Sequence, residues 1–153
     1  MGNHARHPAR IRRGFTLIEA AIVTVIVGIG IVAMLQLLAA GSMANNQAAE
    51  MTTAMNLAGT IHEIALKTPY DSIMTLDGLN YSPPINAVGA QMTDLSNWKQ
   101  SITVDRVLRN KITFVVAKTQ AEPTSRVTVT VYHNNEPVYT TSWITAAGVW
   151  TLN

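Results

Sequence analysis

Residues 20 to 40 form an unbroken apolar run, and this run constrains the fold more than any other feature of the chain. It contains no charged residue, and Thr24 and Gln36 are its only distinctly polar members. At a rise of about 1.5 Å per residue, a helix of this length spans about 32 Å, close to the hydrocarbon thickness of a bilayer. The sequence therefore predicts a membrane-spanning helix near the start of a chain of 153 residues, about the length of one ordinary domain.

Charge is distributed unevenly around this run. Four of the eleven Lys and Arg residues precede Gly14, whereas all nine acidic residues follow it. The formal net charge of +2 therefore belongs to a short basic leader, and it does not indicate nucleic-acid binding. Because a positive flank stays cytoplasmic, we expect the rest of the chain to lie beyond the inner face of the membrane.

A second helical pattern follows the apolar run and then ends. The chain has no proline between residues 15 and 67, and Pro69 terminates any helix that continues that far. Apolar residues recur at three- and four-residue spacing in this part, which predicts an amphipathic helix. The residues of this predicted face are Met51, Ala54, Met55, Ala58, Ile61 and Ala65.

Beyond Pro69 the pattern changes from helix to loop and then to strand. Pro, Gly, Asn and Asp occur in close succession before Trp98, and apolar residues then alternate with polar ones. The alternating segments are residues 98–108, 111–118, 126–133 and 136–146, with hairpin turns expected at "RNK" and "HNNEP". The final "GVWTLN" is a candidate for a further edge strand.

The predicted fold class is α+β, because a small sheet needs a partner for its apolar face and the amphipathic helix provides one. We expect a long N-terminal helix packed on an antiparallel sheet of about four strands. The predicted segments are a leader (1–14), a hydrophobic transmembrane helix (15–41), an amphipathic helix (42–68), a loop region (69–97) and the sheet (98–153).

Glu19 stands at the start of the apolar run and requires an explanation. A carboxylate costs about 2.5–3.5 kcal/mol at the centre of a membrane helix on insertion scales, so it normally has a partner. The nearest positive charges, Arg12 and Arg13, lie upstream. A cut after Gly14 would create an amino group on Phe15, which would be a suitable counter-ion in the same chain or in a neighbouring one.

The stretch "RRGFTLIEAAIVTVIVGIGIVAML", residues 12–35, resembles the N-terminus of type IV pilin-like precursors, the prepilin and pseudopilin class. The resemblance implies that a prepilin peptidase cuts after Gly14 and methylates Phe15. It also implies that Glu19 guides subunits of this class into a helical filament. The expected partners are the peptidase, other pilin or pseudopilin subunits, and the inner membrane before assembly, with the C-terminal domain in the bacterial periplasm.

The remainder of the chain is similar to the minor-subunit branch, I-type minor pseudopilins and V-type minor pilins, in phrases such as "PYDSIMTLDG" and "LSNWKQSITVDRV". A structural subunit of a pilus-like filament or a type II secretion pseudopilus is thus the leading hypothesis. A filament-tip adhesin or DNA-binding minor pilin is the alternative. A plain membrane-anchored periplasmic domain, or a secretory signal peptide cut before Asn45, would leave Glu19 unexplained.

Other candidate sites are weaker. His62-Glu63 begins like the HExxH zinc motif, but Leu66 occupies the position of the second histidine. The chain has no cysteine and no nucleophile elbow or P-loop, so neither catalysis nor a cofactor is predicted. The remaining candidates are an anion patch at Arg106, Arg109 and Lys111, a calcium loop at Asp71, Asp77 and Asp94, and a ligand platform at Trp98, Trp143 and Trp150. Solvated charges and sheet-face packing explain all three sets more simply.

Overall fold

Helix α1 begins at Leu17 and ends at Lys67 in the computed structural model, which describes residues 15–148. The chain divides into two units, residues 1–45 and residues 46–153. In the first unit, every described residue, from 15 to 45, is exposed. Apolar side chains that face outward on all sides of a helix require surroundings other than water, namely lipid or other helices.

The part of α1 in the second unit buries one stripe of small and branched side chains. These residues are Ala54, Leu57, Ala58, Ile61 and Ala65. Two residues of the predicted apolar face do not join it, since Met51 and Met55 keep 38% and 49% of their surface exposed. Each residue turns a helix by about 100°, so Met55 lies on the flank of the stripe that contains Ala54. The prediction of burial is therefore wrong for both methionines.

The sheet is entirely antiparallel, which confirms the predicted α+β class. Its strands are β1 (Asn80–Tyr81), β2 (Trp98–Leu108), β3 (Lys111–Val115), β4 (Thr124–His133) and β5 (Glu136–Ala146). The order is β1-β2-β4-β5, and β3 pairs with the end of β2. The sheet has five strands where the sequence predicted about four, because Asn80 and Tyr81 pair with Ser101 and Gln100. Two residues are too short a segment to show any periodicity.

Alternation along the strands separates two faces of the sheet. Val127, Val129 and Val131 of β4 are fully buried against α1, while the residues between them face outward. Val127 lies opposite Trp143 of β5, and the β4–β5 hairpin turns at Asn134 and Asn135, whose φ angles are 51° and 67°. Two successive positive φ angles are typical of the hairpin turn that matches strand twist, and Asn tolerates them best after Gly. The suggested strand at residues 148–153 lies outside the described residues from position 149 onward.

Gln100 joins the sheet, the helix and the loop region. Its side chain is fully buried, where an unpaired amide would be costly. Gln100 Oε1 accepts a hydrogen bond from the Ile85 amide at 2.8 Å, and Gln100 Nε2 donates to the carbonyl oxygens of Leu57 at 2.9 Å and Ile85 at 3.3 Å. This one side chain therefore connects Ile85 of the loop region to the helix. The loop region, residues 69–97, also contains the 3-10 helices Tyr70–Leu76 and Thr93–Leu95.

Candidate assembly site

Thr16 caps the N-terminus of α1. Its hydroxyl oxygen accepts a hydrogen bond from the Glu19 amide at 3.3 Å, and its carbonyl oxygen accepts the first helical bond, from Ala20, at 3.1 Å. Thr is among the preferred N-cap residues because its hydroxyl satisfies an amide that has no partner inside the helix. The helix therefore starts with Leu17, and Glu19 lies in its first turn.

The first helical turn is a favourable position for the Glu19 carboxylate. Exposed amides at a helix N-terminus carry partial positive charge, which stabilises a nearby negative group by about 0.3–1 kcal/mol. Within residues 15–148, the Glu19 carboxylate forms no ion pair and no hydrogen bond. Phe15 is 72% exposed at the same end of α1. Gly14, the predicted cleavage position, lies outside the described residues.

The helix beyond Glu19 has the composition of a membrane span. Among the described residues it is long and apolar enough to cross a membrane, and none of its most apolar stretch is buried in the protein. Thr24, one of its polar residues, donates its hydroxyl proton to the Ala20 carbonyl at 2.9 Å and so presents little polarity to its surroundings.

One face of this helix carries a notch. It is lined by Val25, Gly28, Ile29, Val32, Ala33 and Gln36, which recur at three- and four-residue spacing. A glycine on a lipid-facing helix lets a second helix approach closely. This spacing places Gly28 in the notch, whereas Gly30 lies on another side of the helix.

The weaker candidate sites are occupied by structural contacts. His62 packs edge-on against Trp143, with ring centroids 4.5 Å apart, and no group of three metal-ligating side chains occurs in the described part of the chain. Trp98 is buried and stacks on His133, and Trp143 packs against the core. Trp150 lies outside the described residues.

The three basic residues do not act together. Arg106 is half-buried, and its Nη1 donates to the Tyr70 hydroxyl at 2.6 Å and to the Glu122 carbonyl at 3.0 Å. Arg109 and Lys111 are exposed near the β2–β3 turn. Because the guanidinium of Arg106 is engaged within the fold, the patch has two exposed charges rather than three.

Asp77 likewise serves the fold. It accepts a hydrogen bond from the Val104 amide at 2.8 Å and pairs with Lys118. Burial alone would raise the pKa of Asp77, but the Lys118 hydrogen bond and charge, together with the Val104 amide, hold its pKa below the ordinary value. These contacts use the carboxylate that a calcium loop would need.

Sequence reasoning missed two features of functional interest. The first is the cap, although the Thr16-x-x-Glu19 spacing is a helix-start signature that could have indicated it. The second is a set of exposed apolar residues on one face of α1, namely Met51, Met55 and Leu66, of which Met55 lies near Tyr139 and Trp143 of β5. No sequence signal could have identified this set, because its position relative to the sheet depends on tertiary packing.

Comparison with known proteins identifies the N-terminal segment. Residues 9–35 match the family model described as the prokaryotic N-terminal methylation motif, which is the prepilin signature of type IV pilins and pseudopilins. The match includes Gly14, Phe15 and Glu19. No curated protein and no solved structure shows significant similarity to the chain.

Proposed function

We propose that this chain is a structural subunit of a type IV pilus-like filament or a type II secretion pseudopilus. It carries the prokaryotic N-terminal methylation motif at residues 9–35. The motif is the observation that carries the proposal. The exposed apolar helix that follows it supports the same interpretation, because such a surface requires lipid before assembly and other helices afterwards. The proposed role is structural and not catalytic, and it involves no cofactor.

The proposed processing follows from the motif. A prepilin peptidase removes the leader after Gly14 and methylates the new amino group of Phe15. The basic leader keeps that end of the precursor cytoplasmic, and residues 46–153 form the periplasmic domain. The helix holds the precursor in the inner membrane until assembly.

Glu19 is proposed to set the axial position of one subunit relative to the next in the filament. Its carboxylate lies in the first turn of α1, one turn from Phe15, and has no partner among residues 15–148. In a filament, the Phe15 amine of a neighbouring subunit supplies the counter-charge. A misaligned subunit would leave both charges buried and unpaired, at a cost of about 3–5 kcal/mol for a broken buried pair. One axial position is therefore strongly preferred.

Within this class, the minor-subunit branch is the finer proposal, and it is supported by sequence resemblance in phrases between residues 69 and 144. Major pilins of this class often close a C-terminal loop with a disulfide, and this chain has no cysteine. A tip adhesin or DNA receptor built on the same stalk receives less support, because Arg106 is held within the fold.

The test is a mass spectrum of the N-terminal peptide of the mature protein, purified from native membranes. A peptide that begins with N-methylated Phe15 is the expected result. A peptide that begins near Asn45 would indicate an ordinary secreted domain and would contradict the assembly role of Glu19. An intact leader, in a host that has a prepilin peptidase, would indicate a plain membrane anchor.

A further inference from the structure

The cap bond of Thr16 acts on the backbone of Glu19. The Thr16 hydroxyl oxygen accepts a hydrogen bond from the Glu19 amide at 3.3 Å, and α1 begins at the residue after Thr16. The amide of the third helical residue has no partner inside a helix, so an N-cap hydroxyl is the group that satisfies it. The bond therefore fixes both the start of the helix and the position of Glu19 in its first turn.

Other threonines of α1 have a different role. Thr24 donates its hydroxyl proton to the Ala20 carbonyl at 2.9 Å, and a carbonyl inside a helix already accepts a bond from the backbone. The same arrangement occurs at Thr52, Thr53 and Thr60. These bonds satisfy the hydroxyl but do not decide where the helix begins. Thr24 is thus a natural control for Thr16 within the same helix.

The first turn depends on local bonds for its order. Phe15, Leu17 and Ile18 are 72%, 91% and 70% exposed, and every other described residue up to position 45 is exposed as well. Helix ends that are not held by packing fray easily. Within residues 15–148, the cap and the first backbone bonds are therefore what keep this turn helical.

The Glu19 side chain makes no bond of its own to this turn. In a complete capping box, the carboxylate of the third helical residue would accept a bond from the amide of the N-cap residue. Among residues 15–148 that second bond is absent, and the Glu19 carboxylate is exposed without a partner. Its direction is consequently set by the backbone of Glu19, which the Thr16 hydroxyl holds.

The same cap keeps the other proposed charge outside the helix. Phe15 and Thr16 are not helical, so an amino group created on Phe15 by cleavage would lie just ahead of the cap. The amides of a helix N-terminus carry partial positive charge, which favours a carboxylate in the first turn and disfavours an ammonium group there. A helix that begins at Leu17 thus places each charge on the side of the cap that suits it.

We propose that Thr16 is a positioning residue for filament assembly, an inference that rests on the proposed function. Its hydroxyl holds the Glu19 carboxylate and the Phe15 amine in the arrangement in which each meets its partner on a neighbouring subunit. Without this hydroxyl the first turn frays, and the carboxylate occupies positions from which it does not pair. Thr16 acts through Glu19, so the role is the same whether the neighbouring subunits are copies of this chain or different proteins.

Thr16→Val tests this role, because valine has nearly the shape of threonine but no hydroxyl. Incorporation into sheared filament fractions, measured relative to mature protein retained in the membrane, should fall about fivefold, the change that the loss of one N-cap produces in the ratio of ordered to frayed turn. Thr24→Val is the matched control and should stay within about twofold of the original protein. Normal incorporation of the Thr16→Val protein would overturn the proposal.

Rescue by other capping residues separates capping from direct contact with a neighbour. Serine and asparagine are both good N-cap residues but differ in shape. Thr16→Ser and Thr16→Asn should both restore incorporation to within about twofold of the original protein. Rescue by serine alone would mean that a neighbouring subunit recognises the hydroxyl itself, and it would overturn the positioning role.

Hydrogen exchange of the Glu19 amide tests the cap bond directly. It is measured by NMR on the mature protein in detergent micelles. Thr16→Val should raise the exchange rate of this amide about fivefold, and Thr16→Asn should return it toward the original value. An unchanged rate in the valine variant would show that the hydroxyl does not hold this turn, and it would overturn the inference.

The state of Phe15, measured by mass spectrometry in the same samples, separates this inference from the proposed function. Normal incorporation of Thr16→Val with methylated Phe15 would overturn the positioning role and leave the function standing. Accumulation of uncleaved Thr16→Val precursor would mean that the peptidase recognises residue 16 directly, and it would also overturn the role. An intact leader on the original protein would contradict the function and the inference with it, whatever the exchange rate of the Glu19 amide.

Discussion

Replacing Gln100 by Leu should strongly destabilise the second unit, although the two side chains are similar in size. The substitution removes three buried hydrogen bonds, each with a net contribution of about 0.5–1.5 kcal/mol. It also leaves the Ile85 amide without its acceptor, and an orphaned buried donor costs about 1–3 kcal/mol. Burial of the additional apolar surface of the leucine side chain offsets part of this loss in free energy. We expect the free energy of unfolding to fall by about 2–4 kcal/mol.

Urea unfolding of the full chain in detergent, followed by tryptophan fluorescence, measures this change. All three tryptophans lie beyond residue 45, so the signal reports the second unit. With a slope of about 2 kcal/mol per molar urea, the midpoint should fall by about 1–2 M. Ser101→Ala, the neighbouring position on the opposite face of β2, is the control and should change stability by less than about 0.5 kcal/mol.

A midpoint for the Gln100→Leu variant within error of the original protein would refute the reasoning. It would mean that the Ile85 amide finds another acceptor, and that the loop region is held against the core without the Gln100 amide. Loss of protection in the loop region alone, measured by hydrogen exchange at an unchanged midpoint, would show that the side chain orders the loop without supporting the core.

Three further predictions concern processing, assembly and pH. Glu19→Ala or Glu19→Val should leave peptidase cleavage intact but reduce incorporation into sheared filament fractions. The reason is that the variant lacks the carboxylate proposed to pair with the Phe15 amine of a neighbouring subunit. Normal incorporation would contradict this pairing. Gly14→Ala should change processing little, whereas a bulky residue at Gly14 should block it, and mature protein from the bulky variant on immunoblots would count against the cleavage site. The pKa of Asp77 is lowered in the folded protein. The ionised carboxylate therefore stabilises the fold at neutral pH, and this stabilisation is lost as the pH falls below about 4 and through the folded-state pKa. Asp77→Asn should therefore be less stable than the original protein at pH 7, and this difference in urea midpoint should shrink at pH 3. An equal difference at both pH values would contradict the assigned role of the carboxylate.

The sequence predicted the strands well where their pattern was long. β2 and β5 have the predicted bounds, and the hairpin at Asn134 and Asn135 forms where the turn residues indicated it. The sequence did not predict β1, because a strand of two residues is too short to show an alternation of apolar and polar side chains. It also assigned Met51 and Met55 to the buried face, since spacing alone cannot say where the edge of the sheet lies above the helix.

The candidate assembly site is almost entirely a property of the linear sequence. Gly14, Phe15 and Glu19 are close together because they are close in the chain, and a cleavage signal and a membrane span are both recognised as continuous segments. Their roles remain predictions. The Thr16 cap is equally local, since its bond to the Glu19 amide connects residues three apart.

The sequence by itself determined the membrane helix, the prepilin-type start and the change from helical to strand periodicity, because each depends on neighbouring residues and on the solvent that they face. Only the tertiary structure decided which strand is left at the edge, which side chains of α1 and β5 lie against each other, and how Gln100 joins helix, loop and sheet. Those features depend on contacts between residues far apart in the chain, such as His62 with Trp143 and Gln100 with Leu57. The choice among such contacts is made by how the whole core packs, and no local pattern encodes it.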